Sequence, residues 1–234
     1  RGFDPGALTM ARALAGAFDA PLVVSTISRL VVDLNRSIGH PRLHFDVIRK
    51  APAEVRQEIL RRYYEPYRTW AAARVAQAIA VHGRVIHISS HSFTPELDGK
   101  LREADIGLLY DPARPGEVAL GKRWQASLRA CAPDLTVRRN YPYAGKGDGL
   151  TTWFRRRLAP DVYVGIELEV NQKLVLGARR RWIALRQIIV ESLRGALASH
   201  PGEGYPGPNP PITTATPTAT ACPVLSGQPA GAPP

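Results

Sequence analysis

The chain has 234 residues, 44% of them apolar, enough for one sizeable domain with an appendage. No apolar run is long enough to cross a bilayer as a helix, and the opening RGFDPGALTM does not read as a signal peptide. The charge balance is 31 Lys+Arg against 20 Asp+Glu, or +11; Glu203 is the only charged residue in 201–234, so residues 1–200 carry 31 against 19, or +12. That excess belongs to the folded part. It favours anionic partners (nucleic acid, a membrane surface or a small carboxylate) and equally fits a solvated basic surface. Two cysteines, Cys131 and Cys222, exclude a disulfide framework and a cysteine-only zinc site. Cys131 is expected to be a small buried apolar residue.

In chain order, residues 5–18 read as a helix, with Asp4 as N-cap and Pro5 at the first helical position. PLVVST (21–26) and LVVDL (30–34) are β-branched runs that predict strands. Residues 53–81 predict one long helix, broken or bent near Pro66, with Val55, Ile59, Tyr63, Tyr67 and Trp70 along one face. RVIHIS (84–89) and IGLLY (106–110) predict buried strands. Residues 117–131 predict a helix with Val118, Trp124, Leu128 and Ala132 on one side. LTVRRNY (135–141) and VYVGIELEV (162–170) predict two more strands, and residues 178–198 an amphipathic helix. Residues 201–234, with ten Pro, five Gly and five Thr, are too poor in buriable surface to fold and are expected to be a disordered tail. Strands alternating with helices predict an α/β sheet covered on both faces, and ligands in such sheets bind beyond the strand ends.

Three strand ends carry unusual polar groups: Asp33, Asn35 and Arg36 after LVV, His91 after VIHISS, and Glu167 with Glu169 inside VGIELEV. The two glutamates are two residues apart and share a face, where ionised carboxylates are costly unless paired or used. His91 is aimed by a rigid strand or is a structural hydrogen-bonder; His87, deeper in the strand, reads as a packed core histidine. His40, His44, His82 and His200 read as loop or helix-end residues. Arg36 offers a planar fork suited to a carboxylate, with Asn35 adding an amide donor; the other reading pairs Arg36 internally with Asp33. Glu167 is a candidate general base or a salt-bridged sheet residue. GKGDGLTT (145–152) lacks the spacing of a phosphate loop and is expected to be a glycine-rich loop over the pocket.

Six blocks in order, SRLVVDLNRS (28–37), YYEPYR (63–68), HISSHSFTPELDG (87–99), ADIGLLYDP (104–112), RRNYPYAGKGDGLTT (138–152) and GIELEVNQ (165–172), resemble the N-formylglutamate amidohydrolase family over about residues 1–198. This family is related to zinc carboxypeptidases and aspartoacylase-like amidohydrolases. The resemblance implies a three-layer α/β/α sandwich with a mixed, mostly parallel sheet of the phosphorylase/hydrolase type. It implies a Zn²⁺ cofactor with His91 and Asp4 as metal ligands, Glu167 as general base, and Asn35 and Arg36 gripping a substrate carboxylate. Arg29, Asn140 and Tyr143 lie in the same blocks and are further candidates for substrate contacts. The family's usual first strand, ending in a CEHGGN- or PHSG-like turn that supplies another metal-ligating histidine, has no counterpart here. An N-terminally truncated catalytic domain at 1–200 is therefore expected.

The implied activity is zinc-assisted removal of a formyl or other small acyl group from an acidic N-acyl amino acid, with N-formyl-L-glutamate as reference substrate, in the cytoplasm. The rival is a decayed or truncated non-catalytic homologue that binds anions through its arginines. Nucleic-acid binding through the arginine runs 155–157 and 179–181 finds no fold signature, and neither nucleic acid nor membrane is an expected partner.

Overall fold

Alternation along VYVGIELEV builds the middle of the molecule. The computed structural model describes residues 2–198; the expected tail at 201–234, His200 and Cys222 lie outside the described residues. Strand β1 (Val85–Phe93) is followed by a small hairpin, β2 (Glu96–Leu97) and β3 (Lys100–Leu101), then by β4 (Ile106–Leu109), β5 (Val137–Arg139) and β6 (Tyr163–Asn171). Four of these form one sheet in the order β1-β6-β4-β5. The β1–β6 and β4–β5 pairs run parallel, and β4–β6 is antiparallel, so the sheet is mixed.

Each face of the sheet has its own helices. Val164, Ile166, Leu168 and Val170 of β6 and Ile106 and Leu108 of β4 pack with Met10 and Leu14 of α1 (Ala7–Ala17). The same core takes Leu120, Trp124 and Leu128 of a long helix (Pro115–Cys131) and Trp182, Leu185, Ile189 and Leu193 of the last one (Arg179–Ala198). On the other face Tyr163 packs with Ala71 and Val75 of Glu65–His82 and with Leu150 and Phe154 of Leu150–Arg155. Numbered in chain order, the helices after α1 are α2 (Asp46–Arg49), α3 (Ala53–Ile59), α4 (Glu65–His82), α5 (Pro115–Cys131), α6 (Leu150–Arg155), α7 (Gln172–Val175) and α8 (Arg179–Ala198). This is the expected α/β/α layering. No helix among the described residues is long and apolar enough to cross a membrane.

Several local expectations are corrected. Residues 21–26 and 30–34 form no strand. Val31 and Val32 N–H instead donate back to the Ser28 carbonyl, and Val32 is buried with Leu43 and Tyr64 in a satellite cluster. β-branched residues favour strands only where a partner edge receives them, and here packing under a loop takes that place. Asp4 does not cap α1 with its side chain: Gly6, with φ of 77°, holds the N-cap position, and the Asp4 carboxylate is engaged elsewhere. The long helix over 53–82 is continuous, but Leu60–Tyr64 adopts a π turn just before Pro66. A π turn adds a residue per hydrogen-bonded ring and rotates the following face. The buried row is therefore Tyr64, Arg68, Ala71 and Val75, while Val55 and Trp70 are exposed. Cys131 is exposed at the last position of α5, past Leu128. β5 stops at Arg139 because Asn140 turns the chain with φ of 50°.

Candidate active site

Parity in β1 and β6 sorts the side chains. The even positions Ile86, Ile88, Val164, Ile166, Leu168 and Val170 go to the apolar core, so the odd positions His87, Ser89, His91, Glu167 and Glu169 share the opposite face. The parallel register sets Ser89 beside Glu167 and His91 beside Glu169. The polar cluster thus lies toward the C-terminal ends of two adjacent parallel strands.

The chain before β1 wraps over this end. Asp4 Oδ2 lies 2.8 Å from His91 Nδ1, and Asp4 Oδ1 accepts from Arg29 Nη1 at 2.8 Å. Arg29 Nη2 donates to Asp33 Oδ2 at 2.9 Å, and Asp33 Oδ1 accepts from the Asn35 N–H at 3.1 Å. His91 Nε2 lies 3.0 Å from Ser89 Oγ. One alternating charge chain thereby ties residues 4, 29, 33 and 91 together. Arg36 Nη1 donates to the Asp148 carbonyl at 2.6 Å, and its Nε stands 3.8 Å from Asp33 Oδ2, the internal pairing that was the alternative to a substrate carboxylate.

The glycine-rich loop closes the other side. Asp148 accepts from the N–H and hydroxyl of Ser37, fastening the loop to the Asn35–Arg36 segment. Asn35 Oδ1 accepts from the Leu150 N–H at 2.7 Å, which leaves its NH₂ to donate. A Cβ on Gly149 would stand 3.2 Å from Asn35 Oδ1 and 3.4 Å from Glu167 Oε1, so glycine keeps the space between them open. Glu167 Oε1 accepts from Thr151 Oγ1 at 2.5 Å, and Glu167 forms no ion pair among the described residues. At β4, a Cβ on Gly107 would overlap the Tyr141 carbonyl, so its absence lets the 140–145 loop descend beside Glu169.

Electrostatics mark this cluster out. Burial works against a charged His91, but the Asp4 hydrogen bond and the carboxylates of Glu169 and Glu167 outweigh it and raise the imidazole to about 9. Burial raises Glu169 to about 7, with His91 pulling the other way and Asp4 and Glu167 adding to the rise. Glu169 Oε2 is buried without a hydrogen-bond partner. Burial also opposes ionisation of Asp4, yet His91 and Arg29 hold its carboxyl below the usual range. His87 sits one step deeper: its Nδ1 is 2.7 Å from the Tyr163 hydroxyl, and its ring lies edge-on to Phe154.

The structure therefore brings Asp4, Arg29, Asn35, Arg36, His91 and Glu167 into one neighbourhood. Asn140 and Tyr143 have other contacts: Asn140 Oδ1 accepts from the N–H groups of Tyr110 and Gly145, and the exposed Tyr143 hydroxyl accepts from Arg102. Thr151 joins the cluster with no signal in the sequence, and Glu169 joins it as the face-sharing partner of Glu167 to which the sequence assigns no role. For Glu169 the signal was present, because the spacing that put Glu167 on this face put Glu169 there too. Of the run 155–157, Arg155 is buried and bonded to Glu117, while Arg156 and Arg157 are exposed, the Arg157 guanidinium stacking on Trp153 at 3.9 Å.

The metal donor set is incomplete. A catalytic zinc ordinarily takes about three protein ligands and keeps one open position. Among the described residues no group of three His, Cys, Asp or Glu side chains is arranged to hold a metal ion, and Asp4 and His91 are hydrogen-bonded to each other.

Comparison with known proteins agrees with the blocks that line this cluster. No curated protein matches the chain significantly. Among solved structures it is similar to the gene product Atu2144 from Agrobacterium tumefaciens, at 30% identity and a TM-score of 0.73 over 85% of this chain and 79% of that one. It also shares its fold with the N-formylglutamate amidohydrolase from Ralstonia eutropha JMP134, at 20% identity and a TM-score of 0.57 over 81% of this chain and 84% of that one. The family profile described as N-formylglutamate amidohydrolase (FGase) matches residues 1–176, three quarters of the chain and every residue of the polar cluster, and the chain belongs to that family of hydrolases.

Proposed function

We propose that this chain hydrolyses the formyl amide of N-formyl-L-glutamate or a close acidic N-acyl amino acid, releasing formate and the free amino acid. The observation that carries this reading is Glu167. Its carboxylate is fixed by Thr151 beside the space left by Gly149, with Asn35 on the other side of that space and Arg36 next in the chain.

In the proposed reaction water adds to the formyl carbon and its proton passes to the Glu167 oxygen that Thr151 leaves free. As the C–N bond breaks, Glu167 returns that proton to the departing amine, and the formyl carbon leaves as formate. Thr151 holds the carboxylate in one orientation through the exchange. The free NH₂ of Asn35 and the guanidinium of Arg36 hold a substrate carboxylate and orient the amide. Arg29 is committed to Asp4 and Asp33, so it positions the charge chain rather than gripping substrate directly. Asn140 and Tyr143 act, on this reading, by shaping the loop beside Glu169.

Zinc is the cofactor that the family resemblance implies, with Asp4 and His91 as its donors. The residues present do not complete its ligand set, so no step above runs through it. The same observation favours a second reading: a homologue that keeps the arginine-lined anion site without turnover. Formate release from N-formyl-L-glutamate by the full chain, assayed with and without added zinc, separates the two. The hydrolase reading expects formate, and Glu167→Gln is expected to lower the rate by about 10²–10⁴-fold. Unchanged turnover in that variant removes Glu167 from the reaction. Absence of formate under both conditions leaves the anion-binding reading.

A further inference from the structure

The glycine-rich segment 145–149 has little of its own to hold it. Glycine at 145, 147 and 149 gives it a backbone that loses much freedom on being fixed, and Lys146 and Gly147 at its tip are exposed. One end is tied at Gly145, whose N–H donates to Asn140 Oδ1 and whose carbonyl accepts from Arg155. The other end runs into α6, where Thr151 is fully buried. Between them Asp148 commits both carboxylate oxygens to one residue. Its Oδ1 accepts from the Ser37 hydroxyl at 2.5 Å and its Oδ2 from the Ser37 N–H at 2.9 Å. Burial works against this charge, but the two Ser37 bonds, with His40 and Arg36 nearby, hold the carboxyl below its usual range.

The Asn35–Arg36 segment is held from two sides, to different effect. On one side Tyr64 Oη and Arg68 Nη2 donate to the Arg36 carbonyl, both at 2.8 Å, and Asp33 Oδ1 accepts from the Asn35 N–H. Those bonds fix the backbone. The side chains are aimed from the loop: the Asp148 carbonyl accepts from Arg36 Nη1 at 2.6 Å, and the Leu150 N–H donates to Asn35 Oδ1 at 2.7 Å. Both aiming groups lie within two residues of the carboxylate that clasps Ser37. The Arg36 side chain keeps 23% of its surface exposed, so the clasp orients it without sealing it.

We propose that Asp148 is a positioning residue: by clasping Ser37 it holds the loop against residues 35–36 and sets the Arg36 guanidinium and the Asn35 amide for a ligand carboxylate. This rests on the proposed carboxylate grip of Asn35 and Arg36. Asp148 itself touches no substrate. Its effect falls on binding, because a grip on a carboxylate remote from the formyl carbon is equally strong before and in the transition state. Glu167 is fixed separately by Thr151 of α6, so the proton transfer does not depend on the clasp.

The test uses the full chain with Asp148→Ala, Asp148→Asn and Ser37→Ala. Formate release from N-formyl-L-glutamate gives KM and kcat, and calorimetry gives Kd for the same compound. Asp148→Ala is expected to raise KM and Kd about 10–100-fold, the scale of lost hydrogen bonds to a charged group, with kcat within about threefold of wild type. Asp148→Asn is expected to recover most of the binding, since its amide oxygen still accepts from the Ser37 N–H and its NH₂ can donate to the hydroxyl. Ser37→Ala keeps the N–H bond and is expected to raise KM less; it carries the test if Asp148→Ala does not fold. A merely structural Asp148 would lower the active fraction, and with it kcat, at unchanged KM, and that result overturns the proposal. Formate release with KM and Kd unchanged in both alanine variants overturns it too and leaves hydrolysis standing. Kd that weakens in Asp148→Ala, in a chain that releases no formate, removes the hydrolase reading and leaves the clasp. A wild-type chain that neither binds nor hydrolyses the compound overturns both.

Discussion

Two buried glutamates on neighbouring strands and helices are handled in opposite ways. Glu117, fully buried at the start of α5, is saturated: Oε1 takes Arg155 at 2.9 Å and the Gly165 N–H at 3.1 Å, and Oε2 takes the Asp111 N–H at 2.8 Å. Glu169, 6% exposed on β6, keeps one oxygen without a partner and is raised to about 7 by its burial. The first carboxylate is spent on architecture, stitching α5 and α6 to Gly165 of β6, in the stretch of that strand that β4 does not reach. The second belongs to a cluster whose hydrogen bonds are incomplete. The saturated carboxylate fits a structural role, and the unpartnered one beside Glu167 fits the proposed site.

This contrast is open to direct attack. Glu117→Ala strands two buried arginines and is expected to cost about 3–5 kcal/mol in urea unfolding, the scale of breaking a buried ion pair on one side. Glu167→Gln is expected to do the converse, abolishing most formate release while urea unfolding stays close to wild type. On the apolar face, Leu168→Ala is expected to cost about 2–5 kcal/mol and to leave the preference among substrates untouched. A loss of discrimination there would mean that the two faces of β6 are coupled.

The mildest probe is acid. Burial first, then the positive charges of Arg155 and His91, hold the His87 imidazole at about 4, against 6.5 when free. On acidification the unfolded chain takes up this proton first. The contribution of neutral His87 is therefore intact above pH 6.5 and drains away as pH falls toward 4. The loss is expected to be about 1–3 kcal/mol, because each tenfold weakening of proton binding is worth about 1.4 kcal/mol. His87→Phe is expected to flatten this part of the stability profile, and an unchanged profile would show that His87 is not the group responsible.

Much of the scaffold was legible in the residues. Alternation in VGIELEV set the parity of β6, and with it the shared face of Glu167 and Glu169. The apolar spacing of 117–131 and 178–198 announced α5 and α8. The valine runs at 21–34 misled because strand propensity says nothing about whether a neighbouring edge is free. Arg68 sat in a block that had been singled out, YYEPYR, yet its burial could not be read there: a π turn decides which side of the helix faces inward.

By itself, the sequence determined the layered α/β class, the family and the strand on which the acidic side chains sit, because those follow from periodicity and from short ordered blocks. Only the tertiary structure decided which charges were spent. Asp4 meets His91 across 87 positions, Glu117 meets Arg155 across 38, and Arg68 meets no carboxylate among the described residues. Such pairings depend on how distant segments are brought together and dried, and free energies of burial and pairing act on distances in space rather than along the chain.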